Sequence, residues 1–360
     1  MDPIVGQVVS GIVSVVAVAA AFLILIAPHE GGHFLVAKLC KVRVIEFSIG
    51  AGTKLISFTR GGTLYAIRLL PILGYVRMGG MEANDFDEPN GFHSKAPWQR
   101  IAILLAGPAA NFVVAMLLIT AYGLTQLNTD PGKVVRVFAG APAAVAGVQV
   151  GDEIRSVNGK PVTGPGYIQQ EEHDNPGKPI VLSGVHADGK PFTYTLQPVC
   201  DGTGKNCRVG IAVAGIVTVQ SAVTNGVRFP FDAIGGIASG IGALATGQIK
   251  GGLLGPDGLT GPIGIATITY QQVNQGWLNY IGLVAILSVA LGFTNLLPVP
   301  ALDGGRIVVA LVEWIRRRPF DRKSELNFQR WGLVALLALA ALISFLDIQR
   351  IATGTFPGSH

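Results

Sequence analysis

Charged side chains are scarce in this sequence: aspartate, glutamate, lysine and arginine make up 14% of the 360 residues, whereas 49% are hydrophobic. With a mean hydropathy of +0.49, this composition excludes an ordinary soluble domain and indicates a membrane protein. Three stretches, at 3–29, 101–128 and 273–302, have no charged residue at all. Each contains enough apolar residues to cross a hydrocarbon core of about 30 Å as a helix. A shorter apolar stretch, 331–346, can cross as well if its helix begins near Ser324.

Cysteine is also rare, with three residues in the chain. Six residues separate Cys200 from Cys207, and this spacing is not a zinc-binding pattern. In an oxidising compartment we expect a disulfide between them, with two free thiols as the alternative. Cys40 follows the first apolar stretch and fits inert packing better than a nucleophilic role.

Positive charge is missing before the first apolar stretch, where Asp2 is the only charged residue. A cleaved signal peptide has a positive n-region followed by a shorter apolar run. We therefore expect the first stretch to be a membrane span rather than a signal peptide.

The lysines and arginines predict the orientation of the spans. Nine of them lie between residues 38 and 100, and seven lie between residues 306 and 330. The positive-inside tendency places both connections in the cytoplasm, with residues 128–272 and both termini outside. These loops account for the net charge of +5, so no nucleic-acid partner is implied.

Residues 234–255 are weakly apolar and could be taken for a fifth span. They contain Lys250 and many glycines, and a crossing here would move the arginine-rich loop after Arg306 to the outside. We expect this segment to lie on the membrane surface or to be partly embedded.

The composition changes between residues 131 and 213 to β-formers separated by turn residues. The stretch "VVRVFAGAPAAVAGVQVGDEIRSVNGKPV" (134–162) resembles a PDZ domain of bacterial proteases, with a strand predicted at 153–157 between two turns. Another small β-rich module is the alternative. A PDZ groove binds an extended peptide by strand addition, which suits substrate recognition.

The motif "HEGGH" (29–33) ends the first apolar stretch. On a helix, His29 and His33 lie on one face about 6 Å apart along the axis, so both rings can bind one zinc ion, with Glu30 beside them as a general base. An acidic group at membrane depth costs about 2.5–3.5 kcal/mol, which favours a functional role. The alternative is a set of satisfied residues at a helix end near the interface.

A catalytic zinc ion needs a third protein ligand and an open position for water. Asp303 follows the third apolar stretch within "NLLPVPALDGG" (295–305), and the predicted topology brings it to the depth of His29 and His33. Pro298 and Pro300 break the helix just before it, and irregular backbone at this depth is tolerated where it lines a wet cavity. Taken alone, "LDGG" would be read as a turn at the end of a span.

Together with these two motifs, three others extend the pattern over nearly the whole chain: "GYVRMGG" (74–80), "AGPAAN" (106–111) and "GPIGIA" (261–266). The sequence resembles the site-2 proteases, which are intramembrane zinc metalloproteases of peptidase family M50, in the bacterial branch that performs regulated intramembrane proteolysis. Some members have tandem PDZ domains, whereas this chain has room for one.

This resemblance implies one catalytic zinc ion bound by His29, His33 and Asp303, with Glu30 as the base. It assigns substrate binding to Asn295, Pro298, Gly74 and Tyr75. It also implies a membrane-associated β-hairpin within residues 54–78, for which we expect strands at 63–70 and 75–78. The alternative is a cytoplasmic hairpin that packs against the rest of the protein and does not bind substrate.

The predicted fold is a polytopic α-helical membrane protein of about four transmembrane helices with an inserted PDZ domain. The expected segments are 1–127 (two helices and the hairpin), 128–215 (extracytoplasmic PDZ domain), 216–276 (membrane-associated linker), 277–350 (two helices) and 351–360 (disordered tail). We expect a multi-pass protein of the inner or plasma membrane, with its active site toward the cytoplasm. His93, His173, His186 and His360 show no ligand spacing and are expected at the surface or in loops.

The predicted function is hydrolysis of peptide bonds within transmembrane segments of single-span proteins, after a site-1 protease has cut them. By resemblance, the substrates are anti-sigma factors or signal-peptide remnants. The alternatives are a non-catalytic PDZ scaffold or chaperone, which would not need Glu30, and a metal transporter, which would show repeats or several ligand-bearing spans.

Overall fold

The computed structural model describes residues 3–82, 85–86, 88–164, 166–201, 207–248 and 259–356, without the side chains of 3–10, 14, 71 and 72. The last four residues of the expected tail and residues 249–255 of the weakly apolar segment lie outside this description. The chain divides into two compact units, one formed by Met1–Tyr122 with Asn225–His360 and the other by Gly123–Thr224.

The helices, in chain order, are α1 (Pro3–Leu39), α2 (Pro97–Thr125), α3 (Pro142–Ala146), α4 (Tyr167–Asp174), α5 (Val219–Ala245), α6 (Pro262–Gln275), α7 (Trp277–Leu296), α8 (Asp303–Arg316) and α9 (Arg322–Ala352), with a 3-10 turn at Phe92–Ser94. Among the described residues, four helices are long and apolar enough to cross a membrane: α1 over Gly11–Leu39, α2, α7 and α9. The chain is therefore a polytopic helical membrane protein.

Helix α9 begins well before the apolar stretch that it contains, which makes it long enough to span. The Asp321 side chain caps its first turn by accepting a hydrogen bond from the Ser324 backbone N–H at 2.9 Å. An aspartate at this position satisfies one of the unpaired N–H groups of a helix start. The prediction that the fourth helix starts near Ser324 is confirmed.

The first unit also contains two long strands, β1 (Val44–Arg60) and β2 (Thr63–Met78). Each strand bends and pairs twice, because residues 46–49 of β1 contact residues 64–67 of β2 on one side and residues 74–77 on the other. The outer part of β1 also pairs with β2, up to Arg60 opposite Thr63. The resulting sheet has four segments, with residues 74–78 along one edge.

Within the region of the expected hairpin, residues 54–60 pair with residues 63–68. Residues 75–78 do not belong to this pair but lie on the other side of residues 46–49. The prediction missed residues 44–49, whose alternating buried positions mark them as the central segment. A period of two in burial is the signature of a strand with one covered face.

A buried carboxylate attaches α9 to the start of α6. Asp347 Oδ2 accepts hydrogen bonds from the backbone N–H groups of Gly261 and Gly264, both at 2.9 Å. Arg350 lies 3.6 Å from the other Asp347 oxygen and donates to the Leu259 carbonyl at 2.8 Å. The "GPIGIA" motif thus supplies two N–H groups at a helix start, where a negative charge is favoured.

The second unit is rich in strands: β3 (Val134–Val137), β4 (Glu153–Val157), β5 (Lys160–Pro161), β6 (Ile180–Val185), β7 (Pro191–Leu196), β8 (Val199–Cys200), β9 (Cys207–Arg208) and β10 (Ile211–Val213). Strands β5, β4, β6 and β7 form an antiparallel sheet in that order, β3 pairs with β10, and β8 pairs with β9. The predicted strand at 153–157 is confirmed as β4, and Asn158 and Gly159 after it adopt positive φ angles, as a tight turn requires.

The core of the second unit consists of buried side chains from these strands and from α4, including Ile154, Ile168, Ile180 and Leu182. The structure joins Cys200 and Cys207 by a disulfide bond. Cys40, in the first unit, has a free thiol and packs beside a buried apolar cluster.

We predict that Asp347→Ala lowers the free energy of unfolding by about 3 kcal/mol, because it removes a buried charge partner of Arg350 and leaves two buried N–H groups unpaired. Denaturation in mixed micelles of detergent and SDS measures this. Gln349→Ala, which removes an exposed side chain two residues away, serves as the control. Equal stability of the two variants would contradict the role of Asp347.

Candidate active site

Two helices, α1 and α8, provide the candidate zinc-binding residues. Helix α1 carries His29 and His33 one turn apart, and both side chains are buried. Helix α7 ends at Leu296, two residues before Pro298, and Asp303 is the first residue of α8. The connection between α7 and α8 includes Ala301 with a φ of 73°, so its backbone is irregular where it approaches α1.

The structure brings the three predicted ligands together. His29 Nε2 and His33 Nε2 are 3.2 Å apart, and Asp303 Oδ2 lies 3.3 Å from the first and 3.2 Å from the second. Ligand atoms about 2.0–2.1 Å from a tetrahedral zinc ion are separated by about 3.3 Å. The triangle therefore has the dimensions of one face of a zinc coordination tetrahedron.

Two further observations fit a cation at this position. Asp303 Oδ2 is buried and accepts no hydrogen bond in good geometry, although a buried carboxylate oxygen normally has a partner. Within the described residues, His29, His33 and Asp303 form a group whose ligand atoms all lie within 4.8 Å of one another, close enough to bind one metal ion. Two imidazoles with one carboxylate is a donor set of catalytic zinc sites, and it leaves a fourth position for water.

Helix α2 fixes the orientation of His33. The ring donates a hydrogen bond from Nδ1 to the Ile103 carbonyl at 2.7 Å. The lone pair of Nε2 is therefore directed at the metal position, as hydrogen bonding of the other ring nitrogen does in zinc sites. Gly107, one turn further along α2, leaves the space for the ring, since a Cβ atom there would lie 2.3 Å from His33 Nε2.

Asn111, also on α2, plays the same part for His29. Its side-chain amide lies 3.3 Å from His29 Nδ1, and its Oδ1 atom is buried without a partner when Nδ2 faces the ring. Turning the amide by 180° lets Oδ1 accept a hydrogen bond from His29 Nδ1–H and leaves Nε2 free for the metal. Ser288 on α7 donates to the Asn111 carbonyl at 2.8 Å and holds this part of α2 in place.

Sequence reasoning missed Ile103 and Asn111 as site residues. "AGPAAN" was available as a signal, since it places a lone asparagine within an apolar stretch. Which side chain that asparagine meets depends on how α2 packs against α1, and the sequence pattern does not contain this information.

Glu30 lies next to the ligand cluster, between α1 and the edge of the β1–β2 sheet. The Val76 backbone N–H interacts with its carboxylate. Gly74 approaches so closely that a Cβ atom there would lie 2.9 Å from Glu30 Cγ and 2.6 Å from Ile26 Cγ2. A glycine at this position thus lets the sheet edge contact the candidate base.

The other predicted substrate-binding residues have partners of their own. The Tyr75 hydroxyl donates to Glu46 Oε1 at 2.8 Å and accepts from Arg68 at 2.7 Å, so it belongs to a polar network within the sheet. Asn295 Nδ2 donates to the Leu291 carbonyl of its own helix at 3.0 Å. Pro298 lies in the connection before α8 and is exposed. Of the four residues, the structure places Gly74 against Glu30.

A profile of peptidase family M50 matches residues 17–339 of this chain. The chain belongs to peptidase family M50. The matched region includes both histidines, Glu30 and Asp303, and it confirms the family suggested by the sequence motifs. The chain is therefore a zinc metalloprotease with zinc as its cofactor.

Individual relatives agree with this assignment. The chain is 29% identical to the regulator of sigma-W protease RasP of Bacillus subtilis, over 94% of this chain and 99% of the relative. It is 28% identical to the zinc metalloprotease RasP of Bacillus licheniformis over the same shares. A candidate zinc metalloprotease of Agrobacterium fabrum is 33% identical over 91% of this chain and 93% of its own length.

We predict that Gly107→Ala lowers zinc affinity by about 10- to 100-fold, because the new methyl group displaces the His33 ring from its hydrogen bond with Ile103. Metal content after dialysis against a graded zinc buffer measures this. Gly282→Ala on α7, where a Cβ atom meets nothing within 4 Å, provides the matched control. Wild-type affinity in the Gly107 variant would show that α2 does not restrain the ring.

Proposed function

We propose that this M50 protease hydrolyses peptide bonds within transmembrane segments of single-span membrane proteins. The observation that carries the proposal is the position of His29, Glu30 and His33 inside a candidate membrane span, Gly11–Leu39, with Asp303 completing the cluster. Ionisable groups are expensive at this depth and are kept there for function. A protease with such a site acts where its substrates also lie in the membrane.

In the proposed chemistry His29, His33 and Asp303 hold the zinc ion. When bound, zinc lowers the pKa of a coordinated water to about 7 and polarises the scissile carbonyl group. Glu30 takes the proton from the attacking water as the oxygen–carbon bond forms, and gives it to the amide nitrogen as the carbon–nitrogen bond breaks. No serine or cysteine nucleophile is required.

The edge of the β1–β2 sheet is proposed to hold the substrate. A transmembrane helix hides its peptide bonds in internal hydrogen bonds, so the segment must become extended before it can be cut. Residues 74–78 form an edge of the sheet and contact Glu30 through Gly74 and Val76. A substrate strand that pairs with this edge would run past the candidate base.

The sheet has the surface expected of a membrane-associated element. Large apolar side chains are exposed over residues 55–73 of the sheet: Leu55, Ile56, Phe58, Ile67, Leu69, Leu70 and Leu73. A soluble sheet would normally cover or replace such residues. We infer that these side chains contact lipid and hold the sheet at the depth of the active site.

The strand-rich second unit is proposed to be a PDZ domain that lies outside the cell membrane and selects substrates by their extracytoplasmic ends. In this arrangement the expected segments remain 1–127, 128–215, 216–276, 277–350 and 351–360, both termini lie outside, and the active site lies toward the cytoplasm. A PDZ groove accepts a newly exposed peptide end, which suits substrates already cut by a site-1 protease.

The substrate class follows from similarity. One relative is named regulator of sigma-W protease, so membrane-bound anti-sigma factors are the class that we propose first. Signal-peptide remnants present the same chemistry, a single apolar segment with a short extracytoplasmic end, and are the second class.

We predict that the purified enzyme cuts a synthetic single-span substrate in detergent. Glu30→Gln should abolish cleavage yet retain zinc, because it removes the base and leaves the ligands. Asp303→Ala should lose both cleavage and about 10-fold or more in zinc affinity, because it removes a ligand. Gel analysis of the products with metal quantification in each variant measures both properties.

Other outcomes have different meanings. Stoichiometric zinc with no cleavage of any shortened substrate would contradict a proteolytic role toward spans and favour a scaffold. Zinc movement across proteoliposomes would favour a transporter. Cleavage by Glu30→Gln at the wild-type rate would remove Glu30 from the mechanism.

A second prediction concerns the sheet edge. Gly74→Val should lower the cleavage rate by about 100-fold with zinc content unchanged, because the side chain collides with Ile26 and Glu30 and moves the edge away from the site. Gly11→Ala, at an open position of α1, is the control. If Gly74→Val cleaves normally, the edge does not present the substrate.

A further inference from the structure

A cavity of about 440 Å³ lies in the first unit, lined by residues other than those of the zinc site. Its walls come from the start of α2, the end of α8 and the connection from α8 to α9. The charged residues that line it are Arg100, Glu313, Arg317, Arg318 and Arg322. Four positive charges thus face one negative charge.

The single acid in this wall is already paired. Glu313 contacts Arg100 at 2.6 Å and Arg322 at 3.0 Å. Burial raises the pKa of the Glu313 carboxyl, but the Phe320 N–H and the two arginines lower it by more. The pKa therefore lies below its usual value, and the carboxylate stays charged. Arg322 also contacts Glu325 at 3.1 Å. Arg100 and Arg322 are therefore neutralised within the protein.

Two arginines remain without a counter-charge. Arg317 and Arg318 are exposed, and neither has an ion pair with any residue that the structure describes. Arg317 directly follows the last residue of α8 and has a φ of 54°, in the left-handed region where the residue after a helix is commonly glycine. The chain keeps an arginine at a position where glycine would adopt this conformation more easily.

Arg100 lines the cavity and has one donor atom without an acceptor. The residue is 5% exposed, and its buried Nε atom has no hydrogen-bond partner. Nearly all buried polar atoms in proteins are paired, and a guanidinium donates in a plane that matches the oxygens of a phosphate. An anion with several oxygens in the cavity would supply the missing acceptor.

His93 lies in the same positively charged environment. Burial lowers the pKa of this imidazole, and the charges of Arg322 and Arg100 lower it further, to about 3. The ring is therefore neutral, and it lies 3.5 Å from an Arg100 nitrogen. His93 is half-buried and lies in the 3-10 turn between β2 and α2.

The cavity lies where two membrane spans begin. Pro97 is the first residue of α2 and Arg322 is the first residue of α9, and both helices are candidate spans. Trp314 lines the cavity, and both it and Trp98 in the first turn of α2 are exposed. Tryptophan favours the interface between hydrocarbon and water, so the cavity lies at the depth of lipid headgroups.

We propose that this cavity binds a phosphate group, as presented by the headgroup of an anionic phospholipid, through Arg317, Arg318 and Arg100. Basic pockets between membrane helices bind such headgroups, and arginine contacts phosphate with two parallel hydrogen bonds. The bound lipid would join the start of α2 to the connection between α8 and α9. The proposal does not depend on the proposed substrates.

Native mass spectrometry of delipidated full-length protein tests it, with phosphatidylglycerol and phosphatidylcholine titrated separately. We expect one tightly held phosphatidylglycerol in the wild type and binding about 30-fold weaker in the double variant Arg317→Gln/Arg318→Gln. The matched control is Lys323→Gln/Arg330→Gln, which removes the same charge from exposed positions of α9. Zinc content and melting temperature of each variant verify the fold.

Several results would overturn the proposal. Equally weakened phosphatidylglycerol binding in the two double variants would indicate general charge attraction. Phosphatidylcholine binding as tight as that of phosphatidylglycerol would show that the anionic headgroup is not recognised. Displacement of the lipid by submillimolar inorganic phosphate would replace the lipid by free phosphate as the ligand. Lipid loss that is confined to Arg317→Gln/Arg318→Gln and is not reproduced by inorganic phosphate supports the site.

Discussion

The rest of the first unit depends on one constraint: two imidazoles and a carboxylate must lie close together within a candidate membrane helix. The carboxylate oxygen of Asp303 lies within 3.3 Å of both histidine Nε2 atoms. Apolar surroundings make an isolated carboxylate very costly, so a cation held between the three side chains stabilises the cluster. Helices α1, α7 and α8 must meet at one point for this to occur. The break after Leu296 is what turns the chain so that Asp303 faces α1.

Helix α2 contributes no zinc ligand, yet it determines how the ligands point. Its Ile103 carbonyl and Asn111 side chain contact the two histidine rings, and Gly107 leaves room for one of them. Metal sites commonly depend on such outer contacts for ring orientation. The start of the same helix lines the arginine-rich cavity, so one helix connects that cavity to the zinc site.

Features that depend on residues close together in the chain could be predicted from the sequence, whereas contacts between distant residues could not. The two histidines are four residues apart on one helix, and Asp303 is the acid that follows a long uncharged stretch, so spacing and cost of burial identify them. Strand β4 was predictable because turn residues flank it. Asn111 and the ion pair of Arg100 with Glu313 join residues far apart in the chain, and the central strand segment 44–49 was overlooked beside a stronger pattern.

The double pairing of β1 has a mechanical consequence. Residues 46–49 hold two neighbouring segments at once, so neither neighbour can slide by a residue without reversing the faces of its side chains and breaking a whole ladder. Residues 74–78 are therefore unable to peel away from Glu30 by a local change of register. Widening the gap between this edge and α1 therefore requires the paired segments to move together. If the sheet lies in the membrane as proposed, the lipid that contacts its exposed leucines and phenylalanine bears directly on the active site.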